Sequence, residues 1–545
     1  MVKKKCEDLL GELFADVVLV NGKIVTLDAE NTIAESVAIR DGKIVAVGDT
    51  KKIMRMKRES TKVIELRGRI VLPGLIESHV HPPDLGSKLT GVICTTPPNK
   101  SIADIISRIR EKANQIPKGE WIRGFGYNEK KLKENRHPTR WDLDRATLDH
   151  PAYLFRTDFH MGVANSKALE LANITRETLD PPGGKVVRNL DTGEPIGLLQ
   201  EQAQNLIRDI VLSYTVEEIK EGIELANEQF LRWGFTTVHC AMTNRDEFRA
   251  YQELHREGKL KIRTCLLLDG RKPEDLHALI KVGPKSDFGN DKLKVIGIKF
   301  MCDGSMSGRT AALHETYENE PNNRGMLVVT QEELTEQVVK AHKAGLRPCI
   351  HAIGDRAVDV ALNAIEAALK EKPAKDHRLR IEHCGLPTDQ ALRRIKKLGV
   401  VPISSIGFIY ELGDTHLLGI GEERAKRYYP LKTYLEHGIV STGNSDCPVC
   451  SGDPLQQIFC AVTRQTETGQ TLGDTQGLSV MDAIRLYTIN AAYAGFEEDI
   501  KGTIESGKLA DFTILSRDIL TIAPYEIKDT KAVTTIVGGE IAYQK

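Results

Sequence analysis

At 545 residues the chain is too long for one ordinary hydrophobic core, so two or three domains, or one large barrel with additions, are expected. Its 75 lysines and arginines are interspersed with 76 aspartates and glutamates for a net charge of −1, which excludes a nucleic-acid footprint and a polybasic membrane surface. A hydrophobic fraction of 41% with 28% charged residues then fits a soluble globular protein whose partner is a small molecule.

The chain opens Met1-Val2-Lys3-Lys4-Lys5, but no apolar h-region follows, and no run of 18 apolar residues occurs anywhere. A cytoplasmic protein with no membrane partner is the resulting expectation; whether it forms a homo-oligomer stays open. The ten cysteines have no framework of short spacings, and several lie in apolar runs where a reduced thiol acts as a small hydrophobe. Cys447-Pro448-Val449-Cys450 is a C-x-x-C, yet no second such pair completes a zinc site and no thioredoxin-like pattern surrounds it, so it too reads as structural.

The first seventy residues alternate like a sheet. Asn21-Gly22 between Val17–Val20 and Lys23–Leu27 predicts a hairpin, and Asp41-Gly42 between Val37–Arg40 and Lys43–Val47 predicts another. Ala510–Leu515 and Thr534–Tyr543 repeat this grammar at the far end. Strands from both termini, residues 1–70 and 501–545, are therefore expected to build one β-sandwich around an inserted middle.

The middle, about 71–500, alternates strand-like and helix-like segments. Strands are predicted at the Ile76–Pro82 stretch and at 236–240, 262–268, 295–301, 347–351, 379–383, 400–404 and 439–442. A helix is predicted from Asp355, as N-cap, to Lys370, with Val358, Leu362, Ile365 and Leu369 at helical spacing. Eight strands with helices between them form an α/β protein of the (β/α)₈ TIM-barrel class. The interval of about 85–230 is far too long for a βα connection. Its helix-like stretch Ser101–Ala113 and its aromatic residues, Trp121, Phe125 and Tyr127 among them, predict a folded subdomain over the barrel mouth.

Barrel chemistry sits at the C-terminal ends of the strands. There the candidates are His79 and His81, which project from one strand end to the same side, then Lys299, His351, His383 and Asp446. Each has a plain alternative: surface imidazoles, a hydrogen-bonded histidine, a lysine snorkelling to the rim, an aspartate in a turn. Together, four imidazoles with a carboxylate suit zinc or a similar transition metal.

At this point the sequence resembles the binuclear metal-dependent amidohydrolase superfamily. Asp303-Gly304-Ser305, Arg309-Thr310-Ala311-Ala312, His351-Ala352-Ile353-Gly354-Asp355, Ile381-Glu382-His383 and Gly502–Asp511 are similar to the amidohydrolase family 3 branch, which contains N-substituted formamide deformylases. The resemblance implies that His79, His81 and Asp446 hold one divalent metal ion, that His351 and His383 hold a second, and that a carboxylated Lys299 bridges them; zinc is the expected metal. It also implies hydrolysis of an amide-type C–N bond in an N-acyl or N-formyl compound by a metal-activated hydroxide, with Asp446 as general base and acid. His160, Arg309 and His239 are the expected substrate contacts, although His160 and Asn165 could instead fix the insertion's own fold. Departures from the branch are Glu77, Ser307-Gly308, Asn444 and Cys447. A deaminase, an ester or lactone hydrolase, or a non-catalytic binding protein on this barrel are the alternatives.

Overall fold

The computed structural model describes residues 14–211 and 213–545. The lysine-rich start and Cys6 lie outside them.

Eight parallel strands form the centre: β1 (Leu75–Val80), β2 (Phe235–Thr243), β3 (Arg263–Asp269), β4 (Leu293–Met301), β5 (Pro348–Ala352), β6 (Arg380–His383), β7 (Val401–Ser404) and β8 (Thr442–Gly443). Each pairs with the next in chain order. Between β8 and β1 side chains close the ring: the Ser78 hydroxyl lies 2.8 Å from Thr442 Oγ1 and donates to the Gly443 carbonyl at 2.9 Å. The result is a nearly closed parallel barrel, with every expected strand present. The last is the least regular, since the run expected at 439–442 is paired only at Thr442–Gly443.

Helices cover the barrel as the periodicity requires. The helix Asp355–Glu371 buries Val358, Leu362 and Ile365 against Ile350 and Ile381 of the strands. Its N-cap is Gly354 rather than Asp355; the Asp355 carboxylate instead accepts the backbone N–H of His314 and of Arg356, each at 2.9 Å. Between β1 and β2, helix Pro82–Thr90 crosses helix Val216–Trp233 at two glycines. A Cβ on Gly86 would stand 2.3 Å from the Gly222 backbone, so the crossing depends on the missing side chain.

Strands from the two ends of the chain build two further sheets of four and six strands. The six-stranded one joins Ile70–Pro73 to Phe512–Leu515, and Leu19, Ile39, Val71, Phe512 and Ile536 share one core. The predicted Asp41-Gly42 hairpin is present: Ser36–Arg40 pairs antiparallel with Lys43–Gly48, with φ of 51° and 72° at the two turn residues. The predicted Asn21-Gly22 hairpin is not. Val17–Val20 and Lys23–Val25 lie in different sheets. A type I′ turn needs positive φ at both central residues, and only Asn21 (57°) has it, so the chain passes from one sheet to the other.

The segment after β1 is folded. It contains the helix Ile102–Ala113, closed by a Ser101/Asp104 capping box, and a six-stranded sheet between Val92 and Glu201.

Candidate metal centre

The C-terminal ends of the strands converge on a cavity of about 1340 Å³ that also reaches residues of the inserted segment. His79, His81, Lys299, His351, His383 and Asp446 all line it. The His79 ring centroid lies 5.5 Å from that of His81 and 4.9 Å from that of His383, and His383 lies 4.5 Å from His351. Side chains from β1, β4, β5, β6 and the loop after β8 therefore meet in one space, as the barrel topology predicts.

Two of them reach it through unusual backbone. Along β6, Arg380 and Glu382 face the interior while Ile381 joins the helix layer. Continued alternation would turn His383 outward, but its φ of 68° brings the ring back to the mouth. Asp446 has φ of 56°. Such conformations cost on the order of 1–3 kcal/mol each and concentrate at functional sites.

Hydrogen-bond partners fix where the imidazole lone pairs point. His79 Nδ1 donates to the Glu382 carboxylate, so in the neutral ring the lone pair is on Nε2, 3.3 Å from Asp446 Oδ1 and 3.3 Å from Lys299 Nζ. His81 Nε2 stands 3.2 Å from the same oxygen. The Ser405 hydroxyl gives its proton to Asn444 Oδ1 at 3.0 Å, so it must accept from His383 Nδ1 at 2.7 Å, and His383 Nε2 is free. His351 Nε2 donates to the Gly304 carbonyl at 3.1 Å, leaving Nδ1 free. Phe408 stacks on His383, with centroids 5.8 Å apart.

The electrostatics agree with this reading. Burial pulls His351 and His383 well below the usual imidazole range, so both are neutral at pH 7. Burial likewise lowers Lys299, against the opposing pull of Glu382 and Asp446. His79, His81 and Asp446 place ligand atoms within 4.8 Å of one another, and buried Asp446 Oδ1 has no hydrogen-bond donor. Acceptors converging without a proton between them are the donor set of a cation. The residues thus fit a divalent metal.

His160 also lines the cavity, 6.4 Å from the His351 ring. Its Nδ1 donates to Glu201 Oε2 at 2.8 Å, and the Glu201 N–H donates to the His160 carbonyl at 2.8 Å. Burial would lower this imidazole, but the Glu201 charge raises it to about 9, so it is an imidazolium at neutral pH. Beside it, Asp158 binds Arg156 at 2.6 Å and accepts from Ser305 and Ser307 at 3.2 and 3.1 Å. These bonds tie the insertion to the loop after β4.

Two expected substrate contacts are elsewhere. Arg309, with φ of 60°, turns its guanidinium over the Tyr317 ring at 5.5 Å and is not part of the cavity wall. His239 is buried inside the barrel, where its Nδ1 accepts from Arg380 Nη1 at 3.1 Å. Nearness in sequence to a strand end, which both share, does not fix the direction of a side chain. Glu201, Glu382 and Ser405 join the site beyond the residues that the sequence points to; Glu382 directly before His383 at a strand end is the one visible signal.

The departures have structural roles. Glu77, pushed up to about 8 by burial, accepts from the Ser445 hydroxyl at 2.9 Å, immediately before Asp446. Asn444 orients Ser405, and Ser307 binds Asp158. Cys447 and Cys450 are buried free thiols whose ionisation burial opposes, in keeping with the structural reading.

Comparison with known proteins places the chain among hydrolases. Residues 62–543 match the family described as Amidohydrolase family. YtcJ of Bacillus subtilis is 31% identical over 96% of this chain and 98% of its own. The N-substituted formamide deformylase of Arthrobacter pascens is 28% identical over 97% and 98%. An uncharacterized metal-dependent hydrolase from Pyrococcus horikoshii OT3 superposes with a TM-score of 0.77 at 31% identity, covering 93% of this chain and 99% of that one.

Proposed function

The chain belongs to the amidohydrolase family, and from that premise we propose that it hydrolyses an amide-type C–N bond in a small N-acyl or N-formyl compound. The observation that carries the reading is the convergence of His79, His81, Lys299, His351, His383 and Asp446 on one cavity, with ligand atoms of His79, His81 and Asp446 within 4.8 Å of one another. The formamide deformylase relative supports the choice of bond. In this reading His79, His81 and Asp446 would hold one divalent metal, His351 and His383 would hold a second, and a carboxylated Lys299 would serve both; zinc would suit this donor set. Burial of Lys299 supports the carbamate, since an unpaired ammonium is costly there, whereas the neutral amine can condense with carbon dioxide. Bound metals would lower the pKa of a water and polarise the carbonyl.

The chain's own groups do the rest. Asp446, ionised, takes the proton of the attacking water and delivers it to the departing nitrogen. His160, kept charged by Glu201, offers Nε2–H to the carbonyl oxygen as negative charge builds there. We take the barrel, about 71–500, as the catalytic unit, the segment 85–230 as its cover, and the terminal portions 1–70 and 501–545 as a β-sandwich whose described residues supply no ligand.

The test is a screen of zinc-loaded protein against N-formyl amines, N-acyl amines and N-acyl amino acids, beside carboxyl esters, lactones and aminopurines. Hydrolysis of the first group at the higher kcat/KM supports the reading. Turnover confined to esters, lactones or aminopurines overturns it.

A further inference from the structure

Arg380 and Glu382 are fully buried charges inside the barrel. A buried ion pair seldom adds stability over apolar residues of the same shape, so it needs another reason to be there. We propose that Glu382, clamped by Arg380, is a positioning residue for His79, holding its ring in the one tautomer and orientation that point Nε2 into the metal centre. This inference rests on the metal-site reading above.

The geometry is a chain of donors with a single direction. A guanidinium has only donors. Arg380 Nε donates to Glu382 Oε1 at 2.7 Å and Nη2 to Oε2 at 2.9 Å, the two-pronged contact that fixes both planes. Nη2 also donates to the carbonyl of Ser78 at 2.8 Å, the residue directly before His79. One guanidinium on β6 thus holds both the backbone of β1 and the carboxylate that meets the His79 ring. Nη1 donates to His239 Nδ1, so His239 is the far anchor of this clamp. The proton shared between Glu382 and His79 therefore belongs to Nδ1, and Nε2 faces Asp446 and Lys299.

The same bonds dispose of a competing assignment. His239, Cys265 and Glu497 also lie within 4.8 Å of one another. There the His239 Nδ1 lone pair is taken by Arg380, and Lys501 Nζ sits 2.8 Å from Glu497, so two cations border the cluster and a metal ion would face them. Its part is to end the clamp.

Partners behind a metal-bound histidine typically change metal affinity about 10- to 100-fold when removed. Two variants test this: Glu382→Gln, and the double substitution Arg380→Met with Glu382→Leu, which removes both buried charges at similar volume and leaves neither unpaired. Wild type and variants are compared by metal content, by chelator competition for zinc, and by the absorption spectrum after cobalt loading, with circular dichroism of the metal-free proteins as the control for folding. We expect the double variant to fold, one metal equivalent to weaken about 10- to 100-fold with the other retained, and the cobalt spectrum to change. A folded double variant with two metals at wild-type affinity and an unchanged spectrum overturns this inference alone. Wild-type protein that takes up no metal overturns the centre itself.

Discussion

Substituting Asp446 by asparagine separates metal binding from chemistry. The carboxylate oxygen Oδ1 stands 3.3 and 3.2 Å from the Nε2 atoms of His79 and His81 and receives no hydrogen bond. Asparagine places an amide oxygen of the same size there, so two imidazoles and one oxygen still face the metal. What disappears is the basicity. An amide oxygen does not accept the water's proton near pH 7, and a positioned general base contributes on the order of 10²–10⁴ in rate. At about 1.4 kcal/mol per factor of ten, that is about 2.7–5.5 kcal/mol of barrier. The assay is steady-state hydrolysis of the best substrate from the N-acyl and N-formyl screen, with metal content measured on the same sample. We expect kcat to fall by at least about 10² with at least about half of the metal retained. Near-wild-type turnover in Asp446→Asn would refute the assignment and move the proton to another group.

Lys299→Ala should lose at least one metal and most of its activity, and added short carboxylic acids should restore part of both; an unmodified amine in a crystal structure, with a salt-bridge partner and no metal nearby, would contradict this. His160→Gln should lower kcat/KM or reorder the substrates while leaving metal content unchanged. The His160 charge also gives a pH limb. Its pKa is raised from 6.5 to about 9 in the fold, so the imidazolium is present below that value and kcat/KM should fall as pH rises through about 9; the stability from its pairing with Glu201 is complete below pH 6.5 and is lost over the same rise. A profile flat through pH 9 to 10 would exclude a role for the charge. Gly86→Ala puts a methyl group onto the Gly222 backbone and should cost about 1–3 kcal/mol of stability, read as a lower denaturant midpoint.

The barrel was legible because its strands are short apolar runs separated by amphipathic helices, a pattern carried by neighbours in sequence. The six proposed ligands could be named because chemistry in such barrels sits at strand ends. Contacts between distant segments were not legible. Glu382 meets His79 across 303 positions, and Glu201 meets His160 across 41; nothing in either neighbourhood states that distance. Strand alternation put Arg380 and Glu382 on one face of β6, a hint that a buried pair was present without saying what it holds. Arg309 shows the converse, since a residue just after a strand looked like a substrate contact until its left-handed backbone turned it toward Tyr317. The Asn21-Gly22 turn failed similarly, because a dipeptide reports which dihedrals are cheap, not which sheet receives the next strand.

Metal content with activity tests the central claim most directly. Purified wild-type protein, dialysed against metal-free buffer and measured by inductively coupled plasma mass spectrometry, should carry about two equivalents of transition metal per chain, as two half-sites of neutral imidazoles and a carboxylate require. A strong chelator should remove them together with hydrolysis, and zinc, cobalt or manganese should restore both. Metal-free protein that retains full hydrolytic activity would contradict the account.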